Sequence, residues 1–215
     1  MRRCLALLAL PLLLATCAGA PRVVSSAPSD REPDEYEADD VLLRNHDVPH
    51  VVVAEAFVTA STPDDNIDSP ASWLQDGRLL VVASAKATDQ LVVYGGDTGA
   101  RLRTVGGSGK ALGQLSRPNG IATIDDRFVF VVERDNRRVQ MFQLPDFTPL
   151  LAFGQEALEQ PYGLWVRRLG DGYQVLVSDA YMAGEDARGD DVVPPLPQLD
   201  RRFRRYDVVR ADGSW

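Results

Sequence analysis

Four side chains that could hold a charged ligand stand beside short apolar runs. Asp68 closes an acidic segment, and Lys86 and Arg134 each lie in a polar turn directly after an apolar run. Tyr162 stands next to Gly163. Carboxylate oxygens suit a hard divalent cation, whereas lysine, arginine and tyrosine donate hydrogen bonds to anions. The chemistry to which these residue types point is the binding of an ion or an ionic ligand.

Each of these residues also has a structural interpretation. Asp68 can serve as a turn residue at the start of a strand. Lys86 and Arg134 can be solvated charges in surface loops, and Tyr162 can pack its ring against neighbouring strands with its hydroxyl at the surface. Residues alone leave both interpretations open for all four positions.

Three further charged groups favour structural roles. Glu133 and Asp135 flank Arg134, and we expect them to form a local ion-pair cluster rather than a metal site. The basic run at residues 201–206 predicts an amphipathic edge strand with its arginines in solvent. The acidic residues at 186–191 do not match an EF-hand, so a surface loop between strands is expected.

Composition and motifs exclude several classes of function. The formal net charge of −8 argues against a nucleic-acid partner, because phosphate backbones are bound through clustered lysine and arginine. The sequence has no Gly-x-Ser-x-Gly motif, no Walker-type loop and no zinc-ligand pair. His46 and His50 lie far from any cysteine and precede the repeats described next, so no role is assigned to them.

Repeated β-strands must position the candidate residues. Three copies of one pattern begin at Pro70, Pro118 and Pro161 and recur at roughly 40 to 50 residues. Matching apolar runs follow in each copy, at residues 79–84, 128–133 and 173–178 and then at 91–94, 138–142 and 202–206. This period, with about four short strands per copy, is typical of a propeller blade that packs against its neighbours. The sequence predicts an all-β protein, a β-propeller of four-stranded blades.

The first 50 residues predict export and a tether. Residues 1–20 have the basic start, short apolar core and small residues of a signal peptide, and the apolar core is too short for a membrane span. Cys17 could be acylated as in a bacterial lipoprotein, or cleavage could fall near Ala20. Residues 21–50 predict an acidic flexible linker, and residues 51–215 the partial propeller domain. We therefore expect a secreted or periplasmic protein without a transmembrane span.

Residues 68–73, Asp-Ser-Pro-Ala-Ser-Trp, resemble the Asp-Asp-Pro-Ala-(Ile/Val)-Trp motif of the β-propeller phytases. The similarity continues through Lys86 to Tyr162-Gly163-Leu164 and covers about residues 51–180. This is the N-terminal half of a family whose rings have six blades. Residues 105–142 separately look like an NHL repeat. The expectation is therefore a truncated reading frame that supplies about three blades of six.

The phytase resemblance implies Ca²⁺-dependent hydrolysis of phosphomonoesters, notably of myo-inositol hexakisphosphate (phytate). Asp68 falls on a calcium-binding aspartate of the family, and Lys86 lies where the family places phosphate-binding lysines. Arg134 is near a phosphate-binding arginine, and Tyr162 matches a phosphate-contacting tyrosine. No catalytic residue distinct from the metal and phosphate sites is expected. The complete ring is expected to be a monomer.

The NHL resemblance implies a different class of function. Ser69 replaces the family's second aspartate, and the lysine expected after the third apolar run is absent at residues 177–180. The alternative is therefore a non-catalytic propeller that binds a protein, peptide or glycan in the cell envelope.

Overall fold

The computed structural model describes residues 54–215. The predicted signal peptide (1–20), the linker (21–50), Cys17 and both histidines lie outside the described residues, and the predictions about them stay untested. Eleven strands are described: β1 (Ile67–Gln75), β2 (Arg78–Ala85), β3 (Gln90–Gly95), β4 (Arg101–Gly106), β5 (Pro118–Ile124), β6 (Phe128–Glu133), β7 (Arg138–Gln143), β8 (Thr148–Phe153), β9 (Pro161–Leu169), β10 (Gly172–Asp179) and β11 (Phe203–Val208). Single turns of 3₁₀ helix lie at Pro63–Asp65 and Leu196–Gln198. None of the helical segments in this part of the chain is long and apolar enough to cross a membrane.

The strands form three antiparallel sheets. The first sheet has the order β1-β2-β3-β4, the second β5-β6-β7-β8, and the third β11-β10-β9. The predicted all-β class and the predicted strands are confirmed. Consecutive strands pair as neighbours in each sheet, which is the arrangement of propeller blades. The third sheet has three strands within residues 54–215, so four strands per blade is correct only for the first two.

The second sheet lies between the other two and buries both faces. Val129 and Val131 of β6 belong to a core shared with the first sheet, whereas Phe128, Phe130 and Val132 belong to a core shared with the third sheet. This explains why β6 is apolar at five successive positions instead of alternating, since neither face of that strand meets water. Each sheet thus supplies the core that its neighbour lacks.

Aromatic residues anchor the two cores. Trp73 packs edge-on against Phe147 with ring centroids 5.8 Å apart, on the side of the first sheet. On the other side, Phe128 and Phe130 pack edge-on against Tyr173 at 5.6 and 5.9 Å. Burial of each such ring contributes about 1.5–3 kcal/mol to folding.

The same β-bulge occurs in all three sheets and aligns the repeats. Two residues of the first strand face one residue of the second strand, in the segments Ile67–Pro70, Pro118–Ile121 and Pro161–Leu164. Pro118 and Pro161 are therefore equivalent to Ile67, and the sequence alignment that placed Pro70 with them is wrong by three residues. The alignment matched prolines, but Pro70 lies after the bulge of its sheet whereas Pro118 and Pro161 lie before theirs.

The innermost strands β1, β5 and β9 lie side by side in the same orientation. Thr123 of β5 donates a hydrogen bond to the Ser72 carbonyl of β1. Between β5 and β9, a Cβ on Gly120 would lie 2.7 Å from the Tyr162 carbonyl oxygen and 2.9 Å from the Gly163 Cα. Gly120 is therefore required by close backbone approach, and the bulges of neighbouring sheets meet.

Candidate functional site

All four residues selected from the sequence lie at one end of the three sheets. This end, called the bulge end below, holds the starts of β1, β5 and β9 and the ends of β2, β6 and β10. Asp68 and Tyr162 lie in the bulges of the first and third sheets. Lys86 and Arg134 directly follow β2 and β6. The topology therefore brings the four positions to one surface.

Asp68 and Lys86 form the closest pair in this set. The Lys86 Nζ lies 3.9 Å from the Asp68 Oδ2, and the two side chains are 4% and 26% exposed. This carboxylate oxygen accepts no hydrogen bond from residues 54–215. The distance is too long for a hydrogen bond, so the pair is held by charge alone. A buried ammonium beside a carboxylate oxygen is the main electrostatic feature of the first sheet at this end.

Lys86 and Arg134 occupy the same structural position in neighbouring sheets. The Lys86 backbone N–H donates to the Asn66 carbonyl at 3.1 Å, and the Arg134 N–H donates to the Arg117 carbonyl at 3.1 Å. In the third sheet, Ala180 makes the equivalent bond. Two sheets thus present a cation at this position and the third does not.

The Arg134 side chain is more accessible than that of Lys86. It is 35% exposed, and its Nε lies 3.9 Å from the Asp135 carboxylate. An arginine in a partly open, weak pair keeps most of its five donors available for an incoming anion. Of the two equivalent cations, Arg134 is therefore the one that a solute reaches without rearrangement.

The bulge position itself carries a different polar side chain in each sheet. Asp68, Asn119 and Tyr162 are equivalent by the strand register. Sequence reasoning missed Asn119, although it follows Pro118 in the repeat that organises the chain. Asn119 is fully buried, and its amide oxygen and nitrogen have no hydrogen-bond partner within the described residues. An unpaired buried amide is costly, so it marks a place where the packing alone does not account for the residue.

Acidic residues at the ends of β6 and β10 close the loops that lead into the innermost strands. The Glu133 carboxylate accepts from the Ser116 N–H at 3.0 Å, and the Asp179 carboxylate accepts from the Glu159 and Gln160 N–H groups at 3.0 and 2.7 Å. Glu133 also pairs with Arg138 at 2.6 Å. Glu133 and Asp135 are both in ion pairs as predicted, but Glu133 pairs with Arg138 and only Asp135 pairs with Arg134.

The acidic segment before Asp68 is also paired. Asp65 lies 2.5 Å from Arg101 and accepts a hydrogen bond from Thr88. The Arg101 hydrogen bond lowers the pKa of Asp65 from its ordinary value. Asp65 is therefore a structural carboxylate and is engaged away from Asp68.

A calcium ion requires about six to eight oxygen ligands, several of them carboxylates. Residues 54–215 contain no group of three or more aspartate, glutamate, histidine or cysteine side chains that could hold a metal ion. Beside the candidate ligand Asp68, the nearest charged group is the Lys86 ammonium. Within residues 54–215, Asp68 therefore stands without the further carboxylates that a calcium site needs.

A cleft of about 540 Å³ opens beside Asp68, along the face of the first sheet that points away from the second. Phe57, Ile67, Val81 and Tyr94 contribute to its walls. Asp68 supplies a carboxylate, and Thr59, Ser61, Thr62 and Asn66 add neutral polar groups to the lining. The cleft thus differs in character from the cation-bearing surface next to it.

The structure tests the predictions for two surface segments, residues 201–206 and residues 186–191. Part of the run 201–206 lies in β11, which is an edge strand as predicted. The Arg201 and Arg205 side chains are 48% and 66% exposed, as expected of solvated arginines. Arg202 and Arg204 instead donate to the Asp179 and Ala157 carbonyls, and Phe203 is 75% exposed. The loop at 186–191 is a surface loop as expected, since Asp186 accepts from the Arg188 and Asp190 N–H groups.

The sequence matches no protein-family model and no curated protein. Among solved structures, the chain is similar to Kuenenia stuttgartiensis hydrazine synthase, with 13% identity and a TM-score of 0.43 over 63% of this chain and 37% of that chain. It is also similar to the WD40 domain of SCAP from fission yeast, with 10% identity and a TM-score of 0.35 over 66% of this chain and 40% of that chain. The chain thus spans less than half the length of either structure.

Proposed function

We propose that the bulge end binds the phosphate groups of a phosphate ester. The observation that carries this proposal is the equivalent placement of Lys86 and Arg134 after β2 and β6. Repeated cations at one position of adjacent sheets match a ligand with repeated anionic groups, each held by charge-assisted hydrogen bonds. Tyr162, in the bulge of the third sheet, would add a phenol donor to the same surface.

The phytase resemblance names the substrate and the reaction within this proposal. The substrate is myo-inositol hexakisphosphate, which carries phosphate groups around a small ring, and the reaction is calcium-dependent release of phosphate. The sheets would be blades of a six-bladed ring in a secreted or periplasmic protein, with lipid attachment at Cys17 as one route of retention. Calcium dependence rests on the resemblance alone, because Asp68 has no cluster of carboxylates around it in residues 54–215.

Two measurements on the full chain separate binding from catalysis. Titration with phytate should give saturable binding that weakens about tenfold in Arg134→Ala, the loss expected for a hydrogen bond to a charged group. Arg188→Ala removes an exposed arginine in another loop and should bind as the wild type does. Phosphate release with calcium, lost on chelation and reduced in Asp68→Ala, would support the enzyme. Binding without release would remove the hydrolytic part alone, and absence of binding would remove the whole proposal.

The second candidate is a non-catalytic propeller that binds a protein, peptide or glycan in the cell envelope. The pairing of Asp68 with Lys86 and the cleft beside them favour it. Neither lysine nor arginine lines this cleft, and its mixture of apolar, hydroxyl and amide side chains suits a peptide rather than a polyanion. Under this alternative, phytate should neither bind nor protect the chain from thermal unfolding.

A further inference from the structure

A second cleft lies at the opposite end of the sheets from Lys86 and Arg134. Its volume is about 360 Å³, and it lies at the turns that join β5 to β6 and β9 to β10. Arg127, Arg168 and Arg210 line it together with one carboxylate, Asp171, and the rings of Phe128, Tyr173 and Trp215. We call it the arginine cleft. Its size is at the lower end of the range for small-molecule sites, which is about 300–1,000 Å³.

The charges of the arginine cleft are unevenly balanced. Arg168 is paired, since its Nη2 lies 2.7 Å from the Asp125 carboxylate. Neither Arg127 nor Arg210 forms an ion pair with a carboxylate of residues 54–215. Arg210 donates only a long hydrogen bond of 3.4 Å, to the Gly213 carbonyl. Two guanidinium groups therefore keep most of their donors free in a protein whose formal net charge is −8.

Aromatic rings form the wall between these arginines. Trp215 packs against Phe128 and Tyr173 with ring centroids 5.5 and 5.6 Å apart. The Arg127 guanidinium lies over the Phe128 ring at 5.0 Å, and Arg168 lies over Tyr173 at 5.9 Å. Planar guanidinium and indole groups offer stacking surfaces to a flat ligand as well as charge to an anion.

From this juxtaposition we propose that the arginine cleft binds a small planar ring that carries a phosphate, phosphonate or carboxylate group. Arg127 and Arg210 hold the anionic group through the fork geometry of their donors, and Trp215 stacks on the ring. Arg168 keeps its ion pair with Asp125 and forms one side of the arginine cleft. The Tyr173 hydroxyl donates to Asp125 at 2.6 Å, so this carboxylate is bound by both Tyr173 and Arg168.

Phenylphosphonate is a suitable probe, because it has both features and no ester bond that a phosphatase could cleave. Calorimetric titration of the full chain should show saturable binding that is at least about tenfold weaker in Arg127→Ala and in Arg210→Ala. Arg188→Ala is the matched control, since it removes an exposed arginine far from the cleft along the chain, and it should bind as the wild type does. Phytate binding at the bulge end should be unchanged in Arg127→Ala and Arg210→Ala, which separates the two sites.

The comparison of probes tests the ring and the anion separately. Phenol and inorganic phosphate each lack one feature and should bind at least about tenfold more weakly than phenylphosphonate. Benzoate in place of phenylphosphonate identifies which anion is preferred, and tight binding of either one supports the site. Equal binding of inorganic phosphate and phenylphosphonate, or unchanged affinity in both arginine variants, would overturn the proposal. The melting temperature of each variant is measured as a control. If it equals that of the wild type, a lower affinity is not caused by loss of folding.

Discussion

Replacement of Glu133 by glutamine tests how much the buried charge of this side chain stabilises the second sheet. The Glu133 side chain is fully buried, and its oxygens accept hydrogen bonds from Asn136, Arg138 and Gln140, each at 2.6 Å, and from the Ser116 N–H at 3.0 Å. Glutamine has nearly the same shape, but its NH₂ group replaces one carboxylate oxygen. A hydrogen-bond donor would then face the donors that surround Glu133. It also leaves the Arg138 guanidinium, which is 5% exposed, without its counter-charge.

The cost of Glu133→Gln should be about 3–5 kcal/mol, the range for removing one partner of a buried ion pair. This is a large part of the total stability of a domain, which is about 5–15 kcal/mol. At about 2–4 °C per kcal/mol for a domain of this size, the melting temperature should fall by roughly 6–20 °C. The loop before β5 should loosen as well, since Arg138 also donates to the Lys110 and Gln114 carbonyls.

Urea unfolding followed by circular dichroism measures this cost. Glu156→Gln is the matched control, because the same substitution at an exposed turn should change stability by less than about 0.5 kcal/mol. Hydrogen exchange should report faster exchange of the Ser116 amide in Glu133→Gln only. A loss of less than about 1 kcal/mol would show that the charge of Glu133 does not hold the sheet, and the reasoning would be refuted.

Three further predictions concern titration and packing. A hydrogen bond from Arg101 lowers the pKa of Asp65, so the stabilisation that Asp65 provides is present above its unfolded pKa and is lost as pH falls through the lowered pKa. Urea midpoints of wild type and Asp65→Asn should therefore differ at about pH 7 and converge as pH falls below the lowered pKa. Burial raises the pKa of Tyr173 to about 12 from 10.0. The stabilisation that the neutral Tyr173 hydroxyl provides is therefore complete below pH 10.0 and is lost as pH rises through about 12. In Tyr173→Phe, the free energy of unfolding should decline less steeply over this alkaline range. Gly120→Ala should cost about 1–3 kcal/mol in urea unfolding, because its Cβ would lie 2.7 Å from a backbone oxygen of β9, whereas Gly163→Ala meets only a serine hydroxyl at 3.1 Å and should cost less.

The strands were predictable because their apolar runs are short and are separated by turn residues. β2, β6 and β10 fall where the matching runs of the three repeats placed them. The continuous apolar run of β6 could be assigned to a strand, but its burial on both faces depends on the two neighbouring sheets. Secondary structure therefore followed from the local pattern, whereas the alignment of the repeats did not, because prolines occur on either side of the bulge.

The candidate site was predictable as a set of positions at one end of the sheets and not as a set of contacts. Lys86 and Arg134 were chosen separately, and only the equivalent backbone hydrogen bonds show that they repeat one position. Asp68 and Lys86 were predicted as separate ligands of metal and phosphate, and only the structure shows that their charged groups lie 3.9 Å apart. A side-chain partner 18 residues away cannot be read from residue types, because many polar residues share the same loops. Asn119 was missed since a buried amide in a turn-like sequence has no local signal.

The central claim is that the equivalent cations of the first two sheets hold a phosphate ester. Calorimetric titration of phytate into wild type, Arg134→Ala and the exposed control Arg188→Ala, in calcium-free buffer, tests it most directly. The account predicts saturable binding by the wild type and the control, and binding about tenfold weaker in Arg134→Ala. Heat of binding that is absent from the wild type, or identical in all three proteins, would contradict it.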